Sequence, residues 1–496
     1  MVLTEDQKVA HLLRRFGLGA SHYEMAEYKP LRVEGTLAKL IDAKPEPDTV
    51  HPFRFAFREG EDAEPGAWRL KSHWVYHLLT TKTPLREKLA IFWHDHFAVD
   101  EESGGDGLMM LQYMNVLRSN PTGKFGDLLE NIAKNPSFMA MLTMTDSTRA
   151  HPNENFAREL FELYTLGVGH YSESDIKEAS RCFTGWSSIN RYWSIEGSNN
   201  LKLELMEKYQ QPYSGFCFSP EFFDSGQKSV LGKTANFTGE ALLRHVAMLP
   251  RCAEFICGKL WSYFAYPTED RRVLEPLINA YLKSEGSIRA VLYAIGRHPE
   301  FYGEKSYRQK IKSPVDYLVG ICRAMNSMSC VPPLVGGSSK RFNEPLSKEA
   351  MDSIGGVTWM LGQCGMNLLM PPNVAGWDWG EDWINTNTMM WRMKFGGILT
   401  WEPKDPERKK WGAGPCGQQM LDWVKNRKIA SLDALVMSFL IYFDTTLSDE
   451  SYQSLKSNFE KHGGMQPLQS GNDEWLYGQL WNAYELLRAA PAFQTC

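Results

Sequence analysis

Apolar residues recur at intervals of three and four along most of the chain. That spacing is the signature of helices with one buried face. It predicts helices over 5–17, 68–80, 84–97, 108–118, 125–134, 153–166 and 173–182. Further helices are expected over 238–249, 251–264, 270–283, 287–297, 312–326, 347–363, 417–426, 431–443, 449–461 and 473–489. Stop signals such as "GLGASH", "SNPTG", "KNPSF" and "RHPEF" separate them. Strand-like alternation is rare. The expected fold class is mainly α: a large multi-helix protein with an irregular insertion that has room for a hairpin.

That insertion is 187–236, rich in Ser, Asn, Gly, Tyr and Phe without a helical stripe. It divides an N-terminal helical block (1–186) from a second block (237–400) carrying a Trp-rich loop. The segment 401–496 is expected to pack on the rest. Residues 45–66 and 328–345 read as long loops. Three helix ends, at Pro136, Pro299 and Pro491, share a Pro followed two residues later by Phe. Their unequal spacing argues for shared stop chemistry rather than a repeat.

Composition narrows the class. A chain of 496 residues suggests two to four packed units. A net charge of −5 without a long basic run gives no support for capture of nucleic acid. No run is long and apolar enough for a membrane span. The first residues lack the pattern of a signal peptide. Nine scattered Cys, without Cys-x-x-Cys, fit reduced thiols. A cytoplasmic location is the resulting expectation. Sixteen Trp fit either a large interior or a cleft with flat stacking surfaces.

Three stretches carry the chemistry. In "HPNENFAREL", Asn153 suits an N-cap. Phe156, Leu160 and Leu163 form one apolar side. Glu154, Asn155, Arg158, Glu159 and Glu162 spread over the opposite arc. Glu154–Arg158–Glu162 has the spacing of an ion-pair ladder. Asn155 adds nothing to helix formation, so it points to a held ligand. Glu159, at the edge of the apolar stripe, is placed for partial desolvation and acid–base work.

In "TPLREKLAIFWHDHF", Thr83 reads as an N-cap with Pro84 at the first helical position. Glu87 and His94 fall on one face, and His96 falls nearly opposite. Two His at i, i+2 on a helix cannot grip one metal. One imidazole could act as acid or base, or the pair could be structural. In "MPPNVAGWDWGEDWINT", Trp377, Trp379 and Trp383 alternate with Asp378, Asp382 and Asn385. This suits a sugar-like ligand, or a lid sealing the core with Trp. There is no phosphate-binding Gly loop, dinucleotide fingerprint or nucleophile elbow.

Together these stretches resemble the bacterial domain-of-unknown-function family 1800. The matching pieces are "HLLRRFGLGAS", "LREKLAIFWHDHFAV", "PNENFARELFELYTLGVGHYSESDIKEASRCFTGWS", "DSGQKSVLG", "EFICGKLWSYF", "PPNVAGWDWGEDWINT" and "LLRAAPAFQ". They span residues 10–494 in family order. The resemblance implies a helical protein throughout. It also implies a site formed by Asn153 to Glu162 with His94 and His96, as two walls of one pocket. Many members carry His-Asn-His where this chain has His94-Asp95-His96. Many also look exported, unlike this chain's start.

The expected function is an enzyme acting on a polar, sugar-like or hydroxyl-rich small molecule or glycan. Glu154, Glu159, His94 and His96 are its candidate catalytic groups. Asn153, Asn155, Arg158, Glu162, Trp186, Trp377 and Asp378 are its candidate substrate contacts. A Glu/His metal-dependent oxidase or hydrolase stays open as an alternative, as does a non-catalytic helical binding or assembly protein. No cofactor is identifiable, a divalent metal stays open, and oligomeric state is not legible.

Overall fold

The computed structural model describes residues 2–44, 67–190, 214–326, 348–399 and 415–496. Helix accounts for well over half of them, so the protein is mainly α. The predicted loops at 45–66 and 328–345 lie outside the described residues. So does 191–213, the middle of the expected insertion. Its flanks form two small antiparallel ribbons. Trp186–Asn190 pairs with Ser214–Phe218, and Lys228–Val230 pairs with Lys233–Ala235.

Capping chemistry sets many helix starts. Thr4, Ser21 and Ser172 form capping boxes with Gln7, Glu24 and Asp175. Each of the three Pro-x-Phe stops opens a short new helix and buries its Phe. These are Phe138, Phe301 and Phe493. Buried apolar side chains from Val9 to Phe493 belong to one continuous cluster.

The helix Thr386–Leu399 escapes the sequence pattern for a physical reason. Its Arg392 is fully buried, donating to Lys312 O at 2.8 Å and Gln494 Oε1 at 3.2 Å. Met390 and Met393 are exposed instead. Polar-in and apolar-out positions cancel the stripe that periodicity detects. Helices Arg32–Ile41 and Pro136–Met141 also lie outside the predicted set.

Candidate functional site

The helix Pro84–His96 is enclosed along nearly its whole length. Thr83 precedes it without capping it, because its hydroxyl pairs with Thr81 Oγ1 at 3.2 Å. Glu87 is buried and accepts bonds of 2.8–3.1 Å from Arg118. It also accepts the Trp74 indole N–H at 3.2 Å. The His94 ring lies 5.5 Å from Trp74, so Glu87 and His94 do share a face.

That face points into protein, which revises the expectation that His94 looks into an open pocket. Nε2 of His94 accepts the Leu369 N–H at 3.1 Å. The ring proton therefore sits on Nδ1 and is donated to Tyr113 Oη at 3.0 Å. Tyr113 in turn donates to Phe97 O at 2.9 Å. Burial, helped by Lys71, lowers the His94 pKa to about 3. A neutral imidazole with both nitrogens occupied is a brace between the helix and the start of the Trp loop.

His96 diverges from His94 although the helix runs unbroken through it. Its Nε2 donates to Tyr164 O at 3.1 Å, and its Nδ1 lies 3.2 Å from the Lys259 ammonium, which donates to it. Burial and then Lys259 keep this ring neutral. His96 thus joins its helix to the Asn-Glu-Asn motif through the Tyr164 backbone.

Between the two histidines, Asp95 fastens the Trp loop. Its Oδ1 accepts the Trp377 N–H at 2.8 Å, and its Oδ2 accepts the Trp379 indole N–H at 2.9 Å. Gly376 makes the approach feasible. Its φ is +92°, and a Cβ there would lie 2.4 Å from both Asp95 O and Oδ1. Burial raises the Asp95 pKa to about 6 against the opposing pull of these donors, Lys259 and Lys310. Trp377 and Trp383 are buried, and Trp379 packs on Tyr263 and Trp383 with ring centroids 5.1 and 5.5 Å apart. The Trp side chains seal the interior here. Asp378 is exposed.

The motif helix begins as expected and then changes type. Asn153 caps it through Oδ1, which accepts Asn155 N–H at 2.9 Å. Its amide donates to Leu142 O at 3.0 Å and Thr143 O at 2.7 Å. Glu154–Glu159 is α-helical, but Leu160–Thr165 is a π-helical turn. Thr165 Oγ1 reaches back to Leu160 O at 2.6 Å, and the N–H groups of Leu166 and Gly167 both bond Phe161 O. Such turns recur at functional sites.

The predicted ion-pair ladder does not form. Arg158 gives both terminal nitrogens to Glu173 on the next helix, each at 2.8 Å. Glu162 instead accepts the Tyr171 hydroxyl at 2.6 Å. The π turn widens the helix between Arg158 and Glu162, taking Glu162 off the ladder line. Glu154 and Asn155 are exposed.

Glu159 is half-buried, and burial followed by the Glu162 charge raises its pKa. Its carboxylate also acts on Tyr164, a buried tyrosine whose hydroxyl has no hydrogen-bond partner among the described residues. A chain of neighbours therefore runs from Trp379 through Asp95, Lys259, His96 and Tyr164 to Glu159.

Trp186 stands apart from open surface. It is buried between Phe183 and Phe216, at 5.1 and 4.9 Å. The preceding Gly185, at φ +79°, brings the chain against Ser219 O, where a Cβ would lie 2.5 Å away.

With these motifs in place, the comparison with known families is decisive. The chain belongs to the family described as protein of unknown function, DUF1800. The family model matches residues 11–495. No curated protein and no solved structure matches the chain. The three stretches that mark the family here are thus joined by Asp95 and His96. Sequence reading does not identify Asp95 as the connector, and it singles out neither Lys259 nor Tyr164, although both lie within stretches that match the family. Asp95 is visible as the departure from His-Asn-His, whereas the only signal for Lys259 is its place in the matching piece "EFICGKLWSYF". Among the described residues, no group of three or more His, Cys, Asp or Glu is arranged to hold a metal. None of the described helices is long and apolar enough to cross a membrane.

Proposed function

We propose that this DUF1800 protein is an enzyme performing acid–base chemistry on a polar, hydroxyl-rich substrate, with Glu159 as the proton-carrying carboxyl. The observation that carries this reading is Glu159 itself. It is half-buried, accepts no hydrogen bond from any described residue, and is raised toward the range of a useful acid by burial and Glu162. Exposed Asn155 and Glu154 supply adjacent polar contacts on the same helix. Arg158, tied to Glu173, holds the next helix against this surface. Glu162, His96 and Asn153 set the geometry of the motif, while Trp377, Trp186 and His94 support it from the interior. Cys182, Cys217, Cys252, Cys257, Cys322, Cys364 and Cys496 are free thiols, which supports a reducing, cytoplasmic setting as part of this reading.

The test has two parts. In a carboxyl-carbon NMR titration, one glutamate signal should titrate above the ordinary range and vanish in Glu159→Gln. In a screen of glycosides, esters and polysaccharides, Glu159→Gln should lower kcat on a converted substrate by roughly a hundredfold or more. Glu154→Gln should keep most of the turnover. Glutamates that all titrate normally, or full turnover by Glu159→Gln, would sink the assignment. A non-catalytic binding surface is the competing reading. It draws support from how completely Asn153 and Arg158 are committed to protein partners.

A further inference from the structure

Glu159 and Tyr164 are five residues apart, a spacing that an α-helix sets roughly 140° apart around its axis. The π turn Leu160–Thr165 changes this. Its hydrogen bonds link residues five apart, so Tyr164 rather than Leu163 stands one turn beyond Glu159. Side chains on a helix tilt toward its N-terminus, so the Tyr164 ring leans back over Glu159. A parallel exists next door. Tyr171, in the loop that follows, gives its hydroxyl to Glu162 at 2.6 Å. Glu159 has no such donor among the described residues.

The Tyr164 ring has little freedom. It is fully buried and packs on Phe138 and Phe97, with ring centroids 5.2 and 5.6 Å apart. The Tyr164 carbonyl is held by His96 Nε2 at 3.1 Å. Yet the hydroxyl meets no hydrogen-bond partner among the described residues. An unmade bond in so tight a site is destabilising, which calls for an acceptor that comes and goes. The charge that acts on this hydroxyl is that of Glu159. Other groups facing the pair are committed. The Tyr113 hydroxyl donates to Phe97 O and accepts from His94 Nδ1. His96 uses both ring nitrogens, one of them on Lys259. On the motif helix, Arg158 is tied to Glu173 and Glu162 to Tyr171.

We propose that Tyr164 is a positioning residue for Glu159, its hydroxyl donating to the Glu159 carboxylate once that group has given up its proton. The proposal rests on the reading of Glu159 as the acid. In that step the Glu159 O–H bond breaks, the proton goes to the leaving oxygen of the substrate, and the electron pair stays on the carboxylate. Attack of water then supplies hydroxide to the substrate carbon and returns a proton to Glu159. Tyr164 keeps its own proton throughout, because burial and the Glu159 charge hold its pKa far above the ordinary tyrosine value. It therefore stabilises the ionised carboxylate without competing as an acid.

The experiment is a carboxyl-carbon NMR titration of the full chain beside Tyr164→Phe and Tyr171→Phe. Loss of the Tyr164 donor should raise the Glu159 midpoint by about one pH unit, because only the ionised carboxylate uses that donor. Tyr171→Phe strips a donor from Glu162 instead and should not raise the Glu159 midpoint. In the unmodified chain, the Tyr164 ring carbon that bears the hydroxyl should titrate with the Glu159 midpoint, and it should go flat in Glu159→Gln. That readout stands whether or not Tyr164→Phe folds. An unchanged Glu159 midpoint in folded Tyr164→Phe, an equal rise in both tyrosine variants, or a pH-flat Tyr164 signal in the unmodified chain would overturn the proposal. None of these measurements needs a substrate. An uncoupled Tyr164 therefore leaves the turnover tests of Glu159 standing, whereas full turnover by Glu159→Gln removes the acid itself.

Discussion

The Asp95 carboxylate and the Trp379 indole meet at 2.9 Å, across 284 residues of sequence. The same carboxylate holds the Trp377 N–H with its other oxygen. One short side chain therefore fixes both the path of the Trp loop and the orientation of its middle ring.

This clamp should respond to pH. Burial lifts the Asp95 pKa to about 6, above the value of roughly 3.9 expected in the unfolded chain. For a carboxyl raised on folding, the native state binds more protons between those values. Its contribution to stability is fully present below about 4 and is lost as pH rises through about 6. Protonation also takes away one acceptor oxygen. We expect a tryptophan fluorescence change with a midpoint near 6 that is absent in Asp95→Ala. At pH 8, Asp95→Ala should cost about 1–3 kcal/mol in urea unfolding. A flat fluorescence titration in the unmodified chain would count against the clamp.

Gly376 and Gly380 provide a matched pair within one loop. Both have positive φ, +92° and +85°. A Cβ on Gly376 collides with Asp95, whereas one on Gly380 meets nothing within 4 Å. Gly380→Ala should cost only the backbone strain, about 1 kcal/mol. Gly376→Ala should cost about 2–4 kcal/mol and weaken the Asp95 contacts. Thermal unfolding of the two variants side by side decides this. Equal losses would show that crowding at Gly376 is unimportant.

His94 should matter for folding more than for turnover. Replacing it with Leu strands the buried Leu369 N–H and removes the bond that Tyr113 accepts, although Tyr113 keeps its bond to Phe97 O, at a cost of about 2–4 kcal/mol. Its pKa is lowered on folding, to about 3, from an unfolded value of roughly 6.5. The stabilisation is therefore present above about 6.5 and is lost as pH falls toward 3. Urea midpoints of the unmodified chain should decline over that window, and the decline should be shallower in His94→Leu. An identical pH dependence in both would remove His94 from the explanation.

Glu87 and Arg118 form a buried pair, with side chains 1% and 3% exposed. Glu87→Gln removes the buried carboxylate that Arg118 pairs with, and we expect a loss of about 3–5 kcal/mol. Replacing both residues with apolar ones of similar size should recover much of it. A mild effect of Glu87→Gln in denaturant unfolding would mean that Arg118 finds compensation elsewhere.

Local rules made part of this legible from sequence. The divergence of His94 and His96 follows from helical geometry alone, as does the capping role of Asn153. The partner of Arg158 did not follow. Glu154 and Glu162 have the right spacing, but a π turn after Glu159 rotates Glu162 away, and no residue type announces such a turn. Glu173 then takes the guanidinium from a neighbouring helix. The Asp95 clamp was hidden for a different reason. It depends on a close approach of two backbones, licensed by Gly376, between segments that are neighbours only in the folded protein. Arg392 shows the limit of periodicity itself, because a buried charge with backbone partners inverts the pattern that marks a helix face.

The enclosed helix Pro84–His96 also constrains how the protein comes into being. Lys88 needs Asp316, His94 needs Leu369, and Asp95 needs Trp377 and Trp379. On a ribosome, the helix emerges hundreds of residues before those partners. At ordinary synthesis speeds the delay is on the order of tens of seconds. Throughout that interval Phe92, Trp93 and Phe97, buried in the finished structure, have no completed interior to enter. The nascent chain must be shielded by other means until the Trp loop arrives. Fragments ending before residue 369 are therefore expected to be captured by chaperones or to aggregate, whatever their helical content.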